Sequence, residues 1–207
     1  MRTRLIAMLI LATGTSAGAQ IGRSRFGFTQ PAAWVSAGVG LDQGFTVIDG
    51  KTNSRWEFGS ATQYHVTMEK SVSPGATLGV HGSTGRVPLL FNGITATEAD
   101  ANVSRIFATA RLSSGVGFHS VLEASAGATI YSNFQRRDTG AQIGPSGATT
   151  DFSFAFGYGL GYAFSPTFAV DVVQDITTDL HSSSGVPPNT DSSVRIHGTR
   201  IMGRIGW

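Results

Sequence analysis

The segment DFSFAFGYGLGYAF, from Asp151 to Phe164, decides the fold of this chain. From Phe152 to Tyr162 every second residue is aromatic or leucine, and the residues between them are serine, alanine or glycine. These two sets lie on opposite faces of a β-strand, so one face is broad and apolar while the other is small. A soluble sheet carries charged or long polar groups on the face that meets water, and no residue between Asp151 and Phe164 is charged. The pattern predicts a strand in the wall of a transmembrane β-barrel, with a buried sandwich strand as the alternative.

The N-terminal residues predict a secreted chain. Arg2 and Arg4 precede a short apolar run, and the small residues Ala-Gly-Ala at 17–19 suit a signal peptidase. We therefore predict a signal peptide at 1–19, a periplasmic strap at 20–32 and one barrel domain at 33–207.

Composition narrows the class of protein. Removal of Arg2 and Arg4 with the signal peptide lowers Lys and Arg from 15 to 13, equal to the 13 Asp and Glu, so nucleic-acid binding has no support. Charged residues make up 14% of the chain, against roughly 25% in soluble domains. There is no cysteine, which excludes disulfides and a lipid anchor on cysteine. Low charge together with 27 glycines favours a β-barrel with many turns.

Alternating apolar and polar residues divide the chain from Ala33 onward into eight predicted strands, of which the second runs from Arg55 to Lys70. Tight turns such as Ser73-Pro74-Gly75 follow the second, fourth and sixth strands. Long connections follow the first, third, fifth and seventh strands, at 42–54, 85–98, 132–150 and 178–191. The sequence therefore predicts an all-β fold, an eight-stranded antiparallel up-and-down transmembrane β-barrel with periplasmic termini and four extracellular loops.

The C-terminal residues carry a resemblance to a known group of proteins. Ile201, Gly203, Ile205 and Trp207 share one strand face, and the last residue is aromatic. With its eight strands, the chain resembles the small bacterial outer-membrane barrels, such as the transmembrane domain of OmpA and the OmpX-like proteins. The usual glycine five residues before the terminal aromatic is replaced here by Met202. The resemblance implies outer-membrane localisation, contact with outer-membrane lipids, and use of the terminal segment as the signal for the barrel-assembly machinery.

Strand alternation predicts a set of charges that face the barrel interior. The lumen of an eight-stranded barrel is just wide enough to be filled by side chains, so these charges must pair with one another or meet trapped water. We predict an ion-pair network that plugs the lumen, with a narrow pore for polar solutes or hydrophobic compounds as the alternative. Its members are Arg55, Arg105, Arg111, Arg200 and Arg204, with Glu57, Glu69, Glu123, Asp171 and Asp175.

Catalysis has one candidate pair. His81 and Ser83 share a strand face, the spacing used by barrel enzymes that deacylate lipid A, and a lipid A-modifying enzyme is therefore a second alternative. The same alternation places both residues inside the barrel, away from lipid, and no carboxylate has an obvious role in orienting the imidazole. We expect no enzymatic activity, no cofactor and no metal site.

The predicted function is structural, or adhesion and recognition through the four loops. In loop three Arg136 and Arg137 are candidates to meet lipopolysaccharide phosphates, because a guanidinium matches phosphate geometry. Lys51, Asn53 and Arg55 are similar candidates near loop one. An extracellular ligand at the loops is a further expected partner. Aromatic residues at the strand ends are predicted to form interfacial girdles, with Trp56, Phe58 and Phe152 at the loop rim and Phe118, Phe164, Phe168 and Trp207 at the turn rim.

Overall fold

The computed structural model describes residues 30–49, 54–92, 96–113, 116–143, 147–181 and 193–207. The predicted signal peptide and most of the predicted strap lie outside these residues, as do Lys51 and Asn53. Within the described part, no helix is long and apolar enough to cross a membrane.

Ten antiparallel strands build the fold. They are β1 (Ala33–Asp42), β2 (Phe45–Asp49), β3 (Ser54–Phe58), β4 (Ala61–Ser73), β5 (Ala76–Asn92), β6 (Ala96–Ser113), β7 (Gly117–Arg136), β8 (Thr149–Ser165), β9 (Phe168–Leu180) and β10 (Ser193–Gly206). Eight of them form a ring in the order β1, β4, β5, β6, β7, β8, β9 and β10, and β10 pairs back with β1. The predicted eight-stranded barrel is confirmed.

Each barrel strand has an apolar outer face and a polar inner face. In β4, Tyr64, Val66 and Met68 are exposed, whereas the alternating positions His65 and Glu69 are buried. The same division holds in β8, where the aromatic positions face outward and Asp151 and Ser153 are buried. An apolar exterior over a polar interior is what a barrel in lipid requires.

The terminal strands close the ring. The β1–β10 ladder runs from Trp34 opposite Gly206 to Asp42 opposite Gly198. The carbonyl oxygen of Trp207 accepts a hydrogen bond of 2.7 Å from the backbone N–H of Ala32. Closure leaves no open sheet edge in this part of the wall, which removes unpaired backbone groups from contact with lipid.

The prediction of the second strand as one continuous element is wrong. The chain breaks at Gly59-Ser60, and β3 leaves the barrel wall to pair with β2 and with the upper part of β5. The break ends the alternation on which the prediction depended. Arg55 therefore lies on the surface and not in the lumen, while Trp56 and Phe58 are buried and not part of the exposed girdle.

Three barrel strands continue beyond the membrane-spanning wall. The predicted second loop, 85–98, is mostly ladder, because β5 pairs with β6 from Gly85 opposite Val103 to Asn92 opposite Ala96. We call β2, β3, residues 85–92, residues 96–103 and residues 131–136 the extracellular extension. It encloses an apolar core whose members include Val47, Trp56, Phe58, Val87, Leu89, Ala99, Ala101, Val103, Tyr131 and Phe134.

The opposite rim has the tight turns that the sequence predicts. Gly75 adopts φ 79° between β4 and β5, a conformation that glycine accepts without steric cost. Its backbone N–H donates to the side-chain oxygen of Gln30 at 3.1 Å, so the end of the predicted strap lies at this rim. The short turns and the N-terminal segment therefore lie together on the periplasmic side.

Candidate functional site

Glu123 is the centre of a buried network in the lumen. One of its oxygens accepts a hydrogen bond of 2.6 Å from Arg111 Nη1, and the other accepts one from Arg200 Nη2. All three side chains are buried, so the two guanidinium groups and the carboxylate are neutralised by one another and not by water.

Asp171 links this centre to the periplasmic half of the lumen. It accepts hydrogen bonds from Arg111 and, at 3.1 Å, from His119 Nε2, and Arg204 Nε lies 3.9 Å away. Arg204 in turn donates to Glu69. Its guanidinium also stacks over the ring of Trp34, 4.6 Å from the centroid, which supplies a cation–π contact.

The network also extends toward the extracellular half. Arg200 Nε lies 2.9 Å from Asp175 Oδ2, and Arg200 Nη1 lies 3.2 Å from His81 Nδ1. His81 Nε2 lies 3.0 Å from Nδ1 of His65. A separate pair crosses the lumen above them, in which Arg105 donates to Asp42 at 2.6 Å.

The structure places eight of the ten predicted interior charges in the lumen and two outside it. Seven of the eight are joined in the network around Glu123, and Arg105 pairs with Asp42. Arg55 and Glu57 pair with each other at 2.7 Å on β3, where their side chains are 55% and 33% exposed. Asp42 was missed because it was assigned to a loop, although it continues the inward alternation of β1. His65 and His119 also lie on the inner face, where strand alternation alone puts them, but a search restricted to Asp, Glu, Lys and Arg leaves them out.

Glycines on the inner face of β8 make room for this network. A Cβ atom at Gly161 would lie 2.0 Å from Asp171 Oδ1 and 2.4 Å from His119 Nε2. A Cβ atom at Gly157 would lie 2.7 Å from Asp175 Oδ1. The space beside the small inner face of β8 is therefore filled by carboxylate and imidazole groups from neighbouring strands.

A cleft of about 390 Å³ opens on the extracellular extension. Phe45 and Phe58, stacked with their centroids 4.5 Å apart, contribute to its apolar lining. The remaining lining residues are Gly44, Thr46, Glu57, Gly59, Pro88, Leu89, Leu90, Glu98 and Arg137. The exposed lining is almost equally polar and apolar, and its charged groups are Glu57, Glu98 and Arg137.

The arginines of loop three already have carboxylate partners. Arg136 donates two hydrogen bonds to Asp138, of 3.0 and 2.7 Å, and Arg137 donates one of 2.6 Å to Asp100. The hydrogen bonds from Arg136 lower the pKa of Asp138 to about 2. The hydrogen bond from Arg137 lowers the pKa of Asp100. A phosphate that binds either guanidinium must compete with these carboxylates.

His81 and Ser83 are both buried inside the barrel. The ring nitrogens of His81 face His65 and Arg200, so its nearest polar neighbours are nitrogen groups. Among the described residues there is no group of three or more His, Asp or Glu side chains that could hold a metal ion.

Comparison with known proteins gives the fold but no close relative. No protein-family model and no curated protein sequence matches the chain. The solved structure of Neisserial surface protein A is similar, with 12% identity, coverage of 85% of this chain and 97% of that chain, and a TM-score of 0.58. The outer membrane protein OprG from Pseudomonas aeruginosa is similar with 10% identity, coverage of 87% and 95%, and a TM-score of 0.51.

The fold is that of a small outer-membrane β-barrel. The exposed apolar side chains of the wall, such as Leu78, Val80, Ile106 and Leu160, face the lipid of that membrane. The predicted localisation and lipid environment are therefore confirmed. This outer-membrane barrel ends its lipid-facing surface at the turn rim in an aromatic series, formed by Phe118, Tyr162, Phe164 and Phe168 in successive ring contacts.

Proposed function

We propose that this outer-membrane barrel is a closed, non-enzymatic anchor that presents a recognition surface outside the cell. The observation that carries the proposal is that side chains fill the barrel interior in two different ways. Ion pairs around Glu123 cross-link the lumen, and the apolar core fills the extracellular extension above it. A chain built in this way gives solutes no continuous polar path, and its strands support a fixed external surface.

The recognition surface that we propose is the cleft of the extension. Its backbone is held by ladders of β2 with β3 and of β3 with β5, so the lining residues are pre-organised and do not have to be ordered on binding. Binding groups on such a scaffold lose little conformational entropy, which favours a specific role in adhesion or ligand capture.

Adhesion of vesicles tests this proposal. Liposomes carrying the refolded chain are passed over surfaces coated with lipopolysaccharide, heparin or collagen, beside empty liposomes. We expect at least one coat to retain the vesicles, and we expect Leu90→Arg, which fills the cleft with a charged side chain, to abolish retention. Gln135→Arg adds the same charge on the exposed face of β7 outside the cleft and should leave retention unchanged. Equal retention of filled and empty vesicles on every coat would overturn the proposal.

Lipopolysaccharide is also a proposed partner of the loop-three arginines. Charge reversal of both residues, Arg136→Glu with Arg137→Glu, should weaken binding of the chain to lipopolysaccharide several-fold if their guanidinium groups meet its phosphates. Unchanged binding would remove these arginines from the proposal, and the cleft would remain as the recognition surface.

The last strand is a proposed contact for the barrel-assembly machinery. Ile201, Ile205 and Trp207 are exposed on the outer face of β10, and Gly203 shares that face. Replacing Trp207 with Ala should lower the yield of assembled barrel in cells, while the purified chain still folds in detergent. An unchanged cellular yield would contradict this role.

A further inference from the structure

A second polar cluster lies at the extracellular end of the lumen, directly below the apolar core. Because Phe152 pairs with Leu180, the inward-facing neighbours Asp151 and His181 meet across β8 and β9. His181 Nδ1 donates to Asp151 Oδ2, and both side chains are almost fully buried. On the same face, Asp179 accepts hydrogen bonds from Tyr131 at 2.6 Å and from Thr129 at 3.1 Å.

This end of the lumen holds more carboxylates than cations. Asp42, Asp151 and Asp179 lie here, and among the described arginines Arg105 is the one paired with any of these three carboxylates, through Asp42. Arg105 is bound to Asp42, so Asp179 is held by two hydroxyl groups and Asp151 by one imidazole. Buried carboxylates are normally balanced by cations, because an unbalanced buried charge is costly.

Three buried atoms of this cluster have no hydrogen-bond partner among the residues that the structure describes. They are Asp151 Oδ1, His181 Nε2 and Thr149 Oγ1. When Nδ1 donates to Asp151, the neutral form of the His181 imidazole has a free lone pair on Nε2. Thr149 is two residues before Asp151 and therefore shares its strand face. All three atoms can accept a hydrogen bond.

We infer that Asp151, His181 and Thr149 form a binding site for the primary ammonium group of a small organic cation. An ammonium group has three N–H donors and one positive charge, which matches three free acceptors in a region with excess carboxylate. A metal ion fits less well, because the described residues offer no group of three His, Asp or Glu ligands. The inference goes beyond the recognition role of the cleft and does not depend on it.

The position of the site suits a ligand from outside the cell. Among the described residues, β8 begins at Thr149 and β9 ends at Leu180, whereas the neighbouring β7 continues to Arg136. The three residues thus lie at the extracellular ends of their strands. The lumen network below them is already paired, which keeps the cation at this level.

Calorimetric titration of the refolded chain in micelles tests the site with two organic cations, of which tetramethylammonium is the larger. Methylammonium carries charge and N–H donors, whereas tetramethylammonium carries charge alone. We expect saturable binding of methylammonium at one site, at least ten-fold tighter than tetramethylammonium. Asp151→Asn and Thr149→Val should each weaken methylammonium binding at least five-fold. Asp138→Asn, at an exposed carboxylate paired with Arg136, is the matched control and should change nothing.

Thr149→Val is nearly isosteric, so it keeps the inference testable even if Asp151→Asn fails to fold. A heat-modifiability gel identifies the folded variants. Absence of saturable methylammonium binding, equal binding of the two cations, or binding that both variants leave unchanged would each overturn the inference.

Discussion

The two ends of β6 carry opposite chemistry on the same buried face. Toward the periplasm that face holds Arg105, Thr109 and Arg111, whereas toward the extracellular tip it holds Ala101 and Val103. The strand keeps its alternation throughout, and only the residue types change. In the membrane, lipid surrounds the wall and polar groups must turn inward; above the membrane, water surrounds the wall and the hydrophobic effect drives apolar groups inward.

The medium outside the wall therefore determines whether polar or apolar side chains lie inside it. The lumen is held by charged hydrogen bonds whose removal leaves buried charges unpaired. The extension is held by packing, in which Trp56 contacts Phe91 and Phe134 at centroid distances of 4.6 and 6.1 Å. The two regions should therefore respond to different substitutions.

The largest loss of stability is expected from a substitution in the lumen. Glu123→Gln removes the charge that neutralises Arg111 and Arg200, and loss of one member of a buried ion-pair network costs about 3–5 kcal/mol. Urea unfolding of the chain in micelles measures the free energy of unfolding. The same substitution at Glu98, an exposed carboxylate 3.8 Å from Arg137, should change it by less than about 0.5 kcal/mol. Equal costs at the two positions would mean that the network does not stabilise the barrel.

A core substitution should affect the extension alone. Phe134→Ala empties a fully buried position and should cost about 3 kcal/mol locally, because the cavity removes packing contacts. Amide hydrogen exchange is the measurement, with faster exchange expected for β2, β3 and residues 85–92. Amides of the β9–β10 ladder serve as the internal control, and faster exchange there as well would contradict two separately stabilised regions.

Substitution of glycine by alanine at two positions should give a smaller loss of stability, at one of the two positions only. Gly161→Ala forces a Cβ atom against Asp171 and His119, and overpacking of this kind costs about 1–3 kcal/mol. Gly82→Ala is the matched control, since the nearest atom to its Cβ is a carbonyl oxygen 3.9 Å away. We expect a lower urea midpoint for the first variant only. A midpoint shift of the same size in both would show that strand glycines act through the backbone and not through space for the network.

The smallest effect concerns the exposed pair of loop three. Arg136→Gln should return the pKa of Asp138 from about 2 toward its usual value near 3.8, because the guanidinium hydrogen bonds are lost. The pKa of Asp138 is lowered in the folded chain, so the contribution of this pair to stability is present above pH 4 and is lost as the pH falls toward 2. NMR titration of the Asp138 carboxyl carbon measures the change. An unaltered midpoint in the variant would show that the pair does not form in solution.

The barrel was predictable from the sequence because lipid imposes a simple alternation on β8 and its neighbours. The extension was not. Its parts of β5 and β6 continue the same alternation with apolar residues turned inward, and the break at Gly59-Ser60 reverses the alternation, so Trp56 and Phe58 were assigned to an exposed girdle. Pro88 lies within the segment 85–98 that was predicted as a loop. Its carbonyl oxygen accepts from Gly59 at 2.8 Å, so its missing N–H faces the gap between β3 and β4, where the ladder does not need a donor.

The lumen network was predictable in its members but not in its pairing. Alternation selects the inward-facing charges, and eight of them lie where that rule puts them. Which carboxylate meets which arginine depends on strand stagger around the ring, as in the contact of Glu69 on β4 with Arg204 on β10. The roles of His65 and His119 follow from the same stagger, with space for His65 at Gly40 and for His119 at Gly161.

Single-channel recording of the refolded chain in planar bilayers tests whether the barrel is closed, with a heat-modifiability gel to show that the barrel is folded. We expect a folded barrel that produces no steady conductance, because paired side chains occupy the lumen and an apolar core lies above it. A steady, ion-selective conductance that changes with Glu123→Gln would contradict the closed barrel and identify the same charges as the lining of a pore.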